Sequence, residues 1–210
     1  MDITNKLTGE QLRVFRGVVQ SNKGHVVVTH RQWGKTTLAA ALAVAHCVAD
    51  ESGRGLRAVI FVPHTNSARA LARGAIQRFV AGEQDVTHSE NLFRFKQTNA
   101  ELHILTDSVP VELFRDKLFV VVDEARDFQS NVLAGIQGVG VNVYLTSMPE
   151  HKPHACWSLL GEPYHRNRTV CSVIDNPGFS NEQFLEVLSN YPGGIHDPAF
   201  RRDWLCEASS

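Results

Sequence analysis

The hydrophobic pattern of the first eighty residues alternates between two kinds of segment. Residues 26–28 are three consecutive valines, and they precede residues 36–50, which are apolar along almost their whole length. Residues 57–62 form a second apolar, β-branched run that ends at Pro63, and residues 66–80 then repeat apolar side chains at helical spacing. This order of strand, helix, strand and helix predicts a parallel sheet covered by helices on both faces.

Two further segments are amphipathic, each with its own period. Residues 7–20 are predicted to form a helix, which Thr8 can cap with Gln11 three positions later, as in a capping box. Residues 92–105 alternate apolar and polar side chains on both sides of Thr98-Asn99, which predicts an antiparallel hairpin with one wet face. The residues expected to face the core from the helices at 7–20 and 66–80 are Leu12, Phe15, Val18, Val19, Ala68, Leu71, Ala72, Ala75, Ile76 and Phe79.

The second half of the chain continues with three predicted strands and two predicted helices. The strands are residues 118–125, 141–149 and 169–174, and all three are rich in β-branched residues. A helix capped by Ser180 or Asn181 follows, and a short terminal helix is predicted over residues 198–207. The side chains expected to pack from these two helices are Phe184, Leu185, Val187, Leu188, Phe200 and Trp204.

Composition is that of an ordinary globular protein. The 210 residues are 43% hydrophobic and 20% charged, without a repeat or linker that would divide them, so we expect a single domain over residues 1–210. No run approaches the ~18 consecutive apolar residues of a membrane helix. The N-terminus lacks the apolar core of a signal peptide. We therefore expect a soluble, intracellular protein.

Cysteines and charges narrow the possible functions further. The cysteines are scattered along the chain, which favours reduced thiols over a disulfide framework or a zinc knuckle. A polar loop is preferred to a metal site where His151, His154 and Cys156 cluster, because a fourth ligand at sensible spacing is missing. The net charge of −1 gives no bulk attraction to nucleic acid. Candidates for a local basic patch are Arg166, Arg168, Arg201 and Arg202, although adjacent arginines usually form a solvated face.

The turn after residues 26–28 has the composition of a phosphate-binding loop. It closes on Gly34-Lys35-Thr36-Thr37 and opens a helix, which is the context that such a loop requires. Backbone N–H groups and the helix N-terminus would face phosphate oxygens, Lys35 would reach the β- and γ-phosphates, and the Thr36 hydroxyl would bind Mg²⁺. The general pattern has glycine where this chain has Thr29, so a plain helix start capped by threonine is the alternative interpretation.

The strand predicted at residues 118–125 ends in two carboxylates. In a P-loop ATPase, Asp123 would hold Mg²⁺ at the end of the strand, and Glu124 would polarise the water that attacks the γ-phosphate. The alternative is a strand that simply ends in a charged turn. Thr146 and Ser147 end the next predicted strand, and in an open α/β sheet such hydroxyls would face the γ-phosphate, unless this strand merely runs into a turn.

Taken in order, these segments resemble the ATPase domain of the large terminase subunit of tailed bacteriophages, over nearly the whole chain. Residues 29–37 (T-H-R-Q-W-G-K-T-T) are similar to the deviant Walker A loop of that family, which accounts for the missing glycine. Residues 120–125 resemble its Walker B element, residues 145–149 its coupling motif and residues 174–177 the strand exit near its end. Residues 7–11 fit its adenine-reading glutamine, whose amide both donates and accepts.

The resemblance implies a P-loop NTPase fold of the RecA/ASCE type, with a mainly parallel sheet, helices on both faces and an antiparallel hairpin. It implies ATP and Mg²⁺ as cofactors, with Thr36 and Asp123 on the metal, and Glu124, Arg31 and Lys35 in catalysis. Arg31 would stabilise charge at the γ-phosphate in cis, and Thr146 and Ser147 would couple nucleotide state to DNA movement. The nucleotide-binding set implied by the resemblance is Gln11, Thr29, His30, Arg31, Gln32, Trp33, Gly34, Lys35, Thr36 and Thr37.

Partners are implied by the resemblance alone. They are double-stranded DNA, a portal protein and a small terminase subunit. Further copies of the chain would form a pentameric ring, although the isolated chain would be a monomer. The expected location is the cytoplasm of an infected bacterium. A trans-acting arginine could be Arg126, Arg166 or Arg201. The family's nuclease domain would begin near Ser210, so we expect no DNA cleavage, whether the chain is an excised domain or a standalone protein. Metal-dependent cutting of plasmid DNA would contradict this expectation.

Two other functions remain open from the sequence. The first is a helicase-like ATPase, although related helicases need two such cores and this chain has room for one. The second is a nucleotide-dependent assembly or switch module with little turnover. A degenerate site usually loses a key residue, so the presence of Lys35, Asp123 and Glu124 together argues against that module.

Overall fold

A computed structural model of the chain describes residues 2–21, 24–49, 55–106, 118–137, 141–147, 167–176 and 179–207. Within these ranges one sheet of eight strands forms the centre of the molecule, in the order β3-β4-β5-β2-β6-β7-β1-β8. The strands are β1 His25–Thr29, β2 Arg57–Phe61, β3 Val86–His88, β4 Leu92–Phe95, β5 Ala100–Leu105, β6 Leu118–Val122, β7 Val141–Thr146 and β8 Arg168–Cys171.

Neighbouring strands are parallel across most of this sheet. Along the part of the sheet ordered β5-β2-β6-β7-β1-β8, every described pairing is parallel. At the other edge, β4 pairs antiparallel with both β5 and β3. The β4–β5 hairpin turns at Asn99, which has φ +58°. A left-handed conformation of this kind is one that asparagine tolerates better than most residues. The hairpin and the mainly parallel sheet confirm the fold class predicted from the sequence.

Six α-helices lie in the described ranges, and none of them is both long and apolar enough to cross a membrane. They are α1 Gly9–Ser21, α2 Lys35–Val48, α3 Asn66–Val80, α4 Ser130–Gln137, α5 Asn181–Ser189 and α6 Pro198–Asp203. Thr65 caps α3 by accepting from the Ala68 backbone N–H at 3.0 Å. Ser180, one of the two predicted caps, begins α5 through a capping box with Gln183.

Helices cover the sheet on both faces, as the strand–helix alternation predicts. Alternate side chains of one central strand point to opposite sides: Val27 of β1 packs in the core with α1, α2 and α3, while Val26 and Val28 pack with α4. The central strands are therefore apolar on both faces, which is typical of a buried parallel sheet. The α2 helix contributes an unbroken buried run from Leu38 to Val44.

A third, smaller cluster closes one end of the molecule. Val173, Phe200 and Trp204 form its centre, and aromatic and aliphatic side chains of α5 pack around them. The Trp204 indole Nε1 donates to the Tyr191 hydroxyl at 3.0 Å. The Val173 backbone N–H donates to the Trp204 carbonyl at 2.9 Å, so this cluster is joined to the end of β8.

The structure corrects several sequence-based expectations. Val19, Leu71 and Leu185 were expected in the core but are 53%, 65% and 63% exposed. Each of these residues is next in sequence to one that faces the core, about 100° away around the helix, so the buried face of each helix is narrower than predicted. In α1, Val14 is buried instead. The short edge strand β3 was not predicted at all.

Strand and helix ends also differ from the prediction. The strand expected at residues 169–174 ends at Cys171, because Val173–Asp175 form a 3₁₀ turn. The helix expected over residues 198–207 ends at Asp203. Cys47, Cys171 and Cys206 are buried, reduced thiols, as expected. The cluster of His151, His154 and Cys156 lies outside the described residues.

Candidate nucleotide-binding site

The candidate site lies at the carboxyl ends of three adjacent strands. Because β7 lies between β1 and β6, the phosphate loop that follows β1, the Ser147 hydroxyl after β7 and the two carboxylates after β6 meet at one edge. In open α/β sheets this edge is where ligands bind. The strand order thus brings together residues that are far apart in the sequence.

Lys35 links all three segments. Its side chain is buried, and Nζ donates to Ser147 Oγ at 2.9 Å and lies 3.1 Å from Glu124 Oε1. A buried ammonium group is unfavourable without such partners. The lysine that would contact phosphates is therefore held in place by a hydroxyl from the end of β7 and a carboxylate that follows β6.

Thr36 and Asp123 form the second contact across the site. The Thr36 hydroxyl donates to Asp123 Oδ2 at 2.6 Å. Burial, and then the negative charge of Glu124, raise the pKa of Asp123 to about 6, although the hydrogen bond from Thr36 acts in the opposite direction. The other carboxylate oxygen, Oδ1, is buried without a hydrogen-bond partner among the described residues.

This pair fits a divalent cation. Mg²⁺ prefers hard oxygen ligands and is commonly bound by one or two protein oxygens together with substrate phosphates. A threonine hydroxyl beside a buried carboxylate with one oxygen unpaired among the described residues supplies such a donor set. Thr36 and Asp123 are accordingly the residues of this site that could hold Mg²⁺.

Glu124 adopts a left-handed conformation, with φ +52° and ψ +53°. Such a conformation is unfavourable for a residue with a Cβ and is often found at functional sites. Its carboxylate is half-buried between two cations, with Oε1 on Lys35 and Oε2 3.8 Å from Arg126 Nε. A water-activating carboxylate would need to exchange the first of these contacts when phosphates occupy Lys35.

The phosphate loop itself is fixed at two points. Thr29 and His30 are fully buried, whereas Arg31 and Gln32 are exposed at its crest. The His30 ring stacks on Trp204 at a centroid distance of 5.7 Å, and its backbone N–H donates to the Cys171 carbonyl at 3.0 Å. Gly34, with φ +91°, has the left-handed conformation that glycine adopts easily.

Solved structures share this architecture, although sequences do not match. No family model matches the chain. No curated protein matches it in sequence. The large terminase of a thermophilic bacteriophage superposes with a TM-score of 0.69 over 94% of this chain, at 14% identity. The HK97 bacteriophage large terminase gives 0.70 over 97%, at 12% identity. The chain has the fold of the large terminase ATPase domain.

The lengths of the matched regions are those expected for an ATPase domain of a large terminase. The chain spans 52% of the thermophilic phage protein and 51% of the HK97 protein, about half the length of each large terminase. It spans 94% of the Thermus phage P74-26 large terminase ATPase domain, with a TM-score of 0.63, 16% identity and 97% of this chain covered. The resemblance to large terminases that the sequence indicated is thus confirmed at the level of the fold.

Within this terminase-like fold, Arg31 does not lie with the residues around Lys35. Its guanidinium Nη1 is 3.6 Å from Asp203 Oδ2, and its backbone N–H donates to the Asp203 carbonyl at 3.0 Å. Asp203 is buried and also accepts from Arg202 Nε at 2.7 Å. In this conformation Arg31 would have to leave Asp203 before it could act on a phosphate.

The environment of His30 favours the neutral imidazole. Burial lowers the pKa of its imidazole and the charge of Lys35 adds to that effect, while a hydrogen bond to the Arg31 carbonyl raises it. The Asn176 side-chain amide lies 3.3 Å from His30 Nε2, and since an amide N–H donates, Nε2 accepts. The ring proton is then on Nδ1, which donates to the Arg31 carbonyl.

The amide of Gln11 serves two contacts within the protein. Its Oε1 accepts from the Thr8 backbone N–H at 3.1 Å, while the Gln11 N–H donates to Thr8 Oγ1 at 3.3 Å, which is the predicted capping box. Its Nε2 donates to the Trp33 carbonyl at 3.0 Å. Gln11 therefore lies at the phosphate loop, and its contact with adenine stays a prediction.

The remaining predicted residues occupy different positions around the loop. Thr37 Oγ1 accepts from Arg78 Nη2 at 3.3 Å. Thr146 is buried and donates to the Ser147 carbonyl at 2.8 Å, so of the two hydroxyls only that of Ser147 contacts Lys35. Residues 148–149 of the predicted coupling motif and Pro177 of the predicted strand exit lie outside the described residues.

Two of the candidate trans-acting arginines have partners within the chain. Arg126 lies near Glu124 and also near Asp127, with Nε 3.7 Å from Oδ1. Arg201 is paired with Glu207. Arg166 lies outside the described residues. Arg126 is thus positioned to hold Glu124 in its own chain, a role that the sequence did not suggest.

Two residues at the site were missed by sequence reasoning. Glu10 Oε2 accepts from the Trp33 indole Nε1 at 2.6 Å, and Asp203 holds Arg31. Both are buried acids in segments that the sequence presents as exposed helical turns, so no local signal marks them. An acidic residue in such a turn cannot be assigned a contact until the fold is known.

Proposed function

We propose that the chain is an ATP-hydrolysing motor domain that drives double-stranded viral DNA into a capsid. The observation that carries this proposal is the convergence of Lys35, Thr36, Asp123, Glu124 and Ser147 at one edge of the sheet. The large terminase fold supports it, because two of the solved structures with this fold are described as ATPase domains.

Each residue of the site has a proposed task. Lys35 and the backbone N–H groups of the loop bind the β- and γ-phosphates of ATP, and Thr36 and Asp123 hold Mg²⁺. Mg²⁺, when bound, supplies positive charge that offsets the charge of the phosphate oxygens. Glu124 orients the attacking water and accepts its proton, since it is half-buried and directly follows Asp123 after the end of β6.

The contact between Lys35 and Glu124 gives the site a resting arrangement. Phosphates compete with the Glu124 carboxylate for the Lys35 ammonium group, so nucleotide binding frees Oε1 of Glu124 for water. Arg126 holds the other oxygen near its present position. Ser147 follows β7 and contacts Lys35, so it is the proposed coupling residue: it senses whether Lys35 is bound to phosphate and transmits this to the chain that follows β7.

The proposal extends to partners and organisation. Residues 1–210 act as a single P-loop ATPase domain on double-stranded DNA, with a portal protein and a small terminase subunit as partners, in the cytoplasm of an infected bacterium. Arg31 is the cis arginine, and it leaves Asp203 when the γ-phosphate is bound. Nuclease activity is not part of the proposed function.

The first prediction concerns Glu124. Mg²⁺-dependent ATP hydrolysis should fall by ~10² or more in Glu124→Gln, because glutamine keeps the volume but cannot take the proton. ATP binding should survive, since Lys35, Thr36 and Asp123 are unchanged. Both proteins are assayed with and without double-stranded DNA, and Glu182→Gln, at an exposed position in α5, is the matched control.

Each outcome of this assay has a distinct meaning. Stimulation of wild-type hydrolysis by DNA supports a translocating motor. Binding of ATP without hydrolysis under any condition would instead favour the assembly or switch module. Wild-type protein that binds no ATP would refute the proposed function altogether.

A further inference from the structure

Trp33, the residue before Gly34 in the phosphate loop, is held by two consecutive residues of α1. Its indole Nε1 donates to Glu10 Oε2 at 2.6 Å, and its carbonyl accepts from Gln11 Nε2 at 3.0 Å. The contact is so close that a Cβ added to Gly34 would meet Gln11 Nε2 at 2.4 Å. The loop therefore takes its shape against the N-terminal turn of α1.

Glu10 is a buried carboxylate whose shortest described hydrogen bond comes from Trp33. Its other oxygen, Oε1, is 3.8 Å from the exposed guanidinium of Arg13. The neighbouring Cys171 thiol stays protonated, since burial, and then the charge of Glu10, raise its pKa to about 12. A buried carboxylate is unfavourable unless its oxygens are hydrogen-bonded. Oε2 has the hydrogen bond from Trp33, whereas Oε1 is buried without a hydrogen-bond partner among the described residues, so the Trp33 contact offsets part of the cost of burying Glu10.

The loop needs such an anchor because its crest is strained. Gln32 has φ +60°, which is unfavourable for a residue with a Cβ, and Thr29 stands where phosphate loops usually have glycine. Strain of this kind persists only where the surroundings enforce it. His30 is fixed on one side of the crest by Trp204, and Trp33 is fixed on the other side by Glu10.

We propose that Glu10 is a positioning residue for the phosphate loop, acting through the indole of Trp33. It orients the backbone N–H groups that precede Lys35, and so sets the affinity for nucleotide; this inference rests on the proposed ATPase function. These N–H groups contact phosphates in the ground state and in the transition state alike. Loss of the anchor therefore raises the Kd and KM for ATP and leaves kcat nearly unchanged.

The test, which is our second prediction, compares ATP binding and turnover in four variants with wild type. Glu10→Ala and Trp33→Phe each remove the indole–carboxylate bond, and should raise the Kd for ATP about tenfold or more. Glu10→Gln keeps an acceptor oxygen and should rescue binding to within about threefold of wild type. Glu182→Ala removes an exposed glutamate from the first turn of α5 and serves as the matched control.

Hydrogen exchange of residues 30–36 in the nucleotide-free protein provides a readout independent of ATP. Exchange should be faster in Glu10→Ala and Trp33→Phe than in wild type and Glu182→Ala, with the interior of α2 unchanged. Wild type that binds no ATP would refute the ATPase function, while this exchange still tests the anchor.

Three results would overturn the role of Glu10. One is equal ATP affinity in Glu10→Ala and Glu182→Ala, and another is unchanged loop exchange in Trp33→Phe. The third is a kcat that falls as much as the affinity, which would contradict a positioning role. If Glu10→Ala does not fold, Trp33→Phe decides the question, because it removes the indole N–H and keeps most of the buried ring.

Discussion

A single ammonium group joins the three segments of the candidate site. Lys35 Nζ contacts a hydroxyl at the end of β7 and a carboxylate after β6, although it belongs to the helix that follows β1. The same contacts that hold Lys35 in the absence of nucleotide are those that a phosphate would compete with. If the chain binds ATP as proposed, the stability of the nucleotide-free protein and the affinity for nucleotide are coupled through this side chain.

The third prediction tests how much the contact between Ser147 and Lys35 contributes to stability. Ser147→Ala should lower the free energy of unfolding by about 1–2 kcal/mol, because a buried hydrogen bond to a charged group is lost. Urea denaturation measures the change. Ser189→Ala, which removes an exposed hydroxyl at the end of α5, should change the free energy of unfolding by less than about 0.5 kcal/mol. Equal effects of the two substitutions would show that the Lys35 contact contributes nothing to stability.

The fourth prediction concerns His25, a buried residue of β1 whose Nε2 lies 2.9 Å from Thr169 Oγ1. Burial lowers the pKa of its imidazole below the usual value of 6.5. The unfolded chain then binds a proton more readily than the folded one, so this contribution to stability is present above pH 6.5 and is lost as pH falls through the folded-state pKa.

Urea denaturation at about pH 7.5 and about pH 5.5, on either side of the usual histidine pKa, checks this expectation. The free energy of unfolding should fall more in wild type than in His25→Gln, which has no group that titrates in this range. The raised pKa of Asp123 acts in the opposite direction, but it is common to both proteins and cancels in the comparison. An equal fall in both proteins would contradict the prediction.

Sequence reasoning predicted the residues proposed to carry the chemistry, but not the residues that contact and position them. Lys35, Thr36, Asp123 and Glu124 were predicted because their types and order follow a known pattern, and the fold brings them together. The contacts of Arg31 with Asp203 and of Trp33 with Glu10 depend on which helices pack beside the loop. Packing of that kind is not encoded in local spacing.

At the scale of single elements, α2 is the most deeply buried of the described helices, and it begins at the site. The fifth prediction compares two leucines. Leu42→Ala in α2 should lower the free energy of unfolding by about 2–5 kcal/mol, because a cavity replaces a fully buried side chain. Leu71→Ala in α3 should change it by less than about 0.5 kcal/mol, since that side chain is 65% exposed. Thermal or urea unfolding measures both, and a large loss at Leu71 would contradict the exposed position.

The type of most elements followed from hydrophobic periodicity, whereas their faces and ends did not. The predicted helix at 66–80 coincides with α3, yet Leu71 points to solvent. Periodicity predicts which side of a helix is apolar, but with an uncertainty of one residue at the edges of the apolar face. Which edge is buried depends on the helices and strands that pack against it. Likewise, the run after Thr169 is apolar enough for a longer strand, but Val173 turns away to pack against Trp204.

At the scale of the whole molecule, the fold persists where sequence similarity does not. The large terminases of the thermophilic phage and of HK97 share only 14% and 12% of residues with this chain. A buried parallel sheet needs apolar side chains of suitable size at its core positions but does not need one specific residue type at each, so many sequences can form the same sheet. The resemblance in sequence was accordingly visible in a few short motifs and not in overall identity.

The contact between His30 and Trp204 joins two segments of the chain that are translated at different times. The residues that fix the crest of the loop at residues 29–34 are Asp203 and Trp204, which are translated much later than the loop itself. At about 5–20 residues per second, the roughly 170 residues between the loop and these two residues take about 10–30 s to make. These contacts can therefore form only after residues 35–204 have been translated, and until then the crest of the loop lacks the two side chains that fix it in the folded protein.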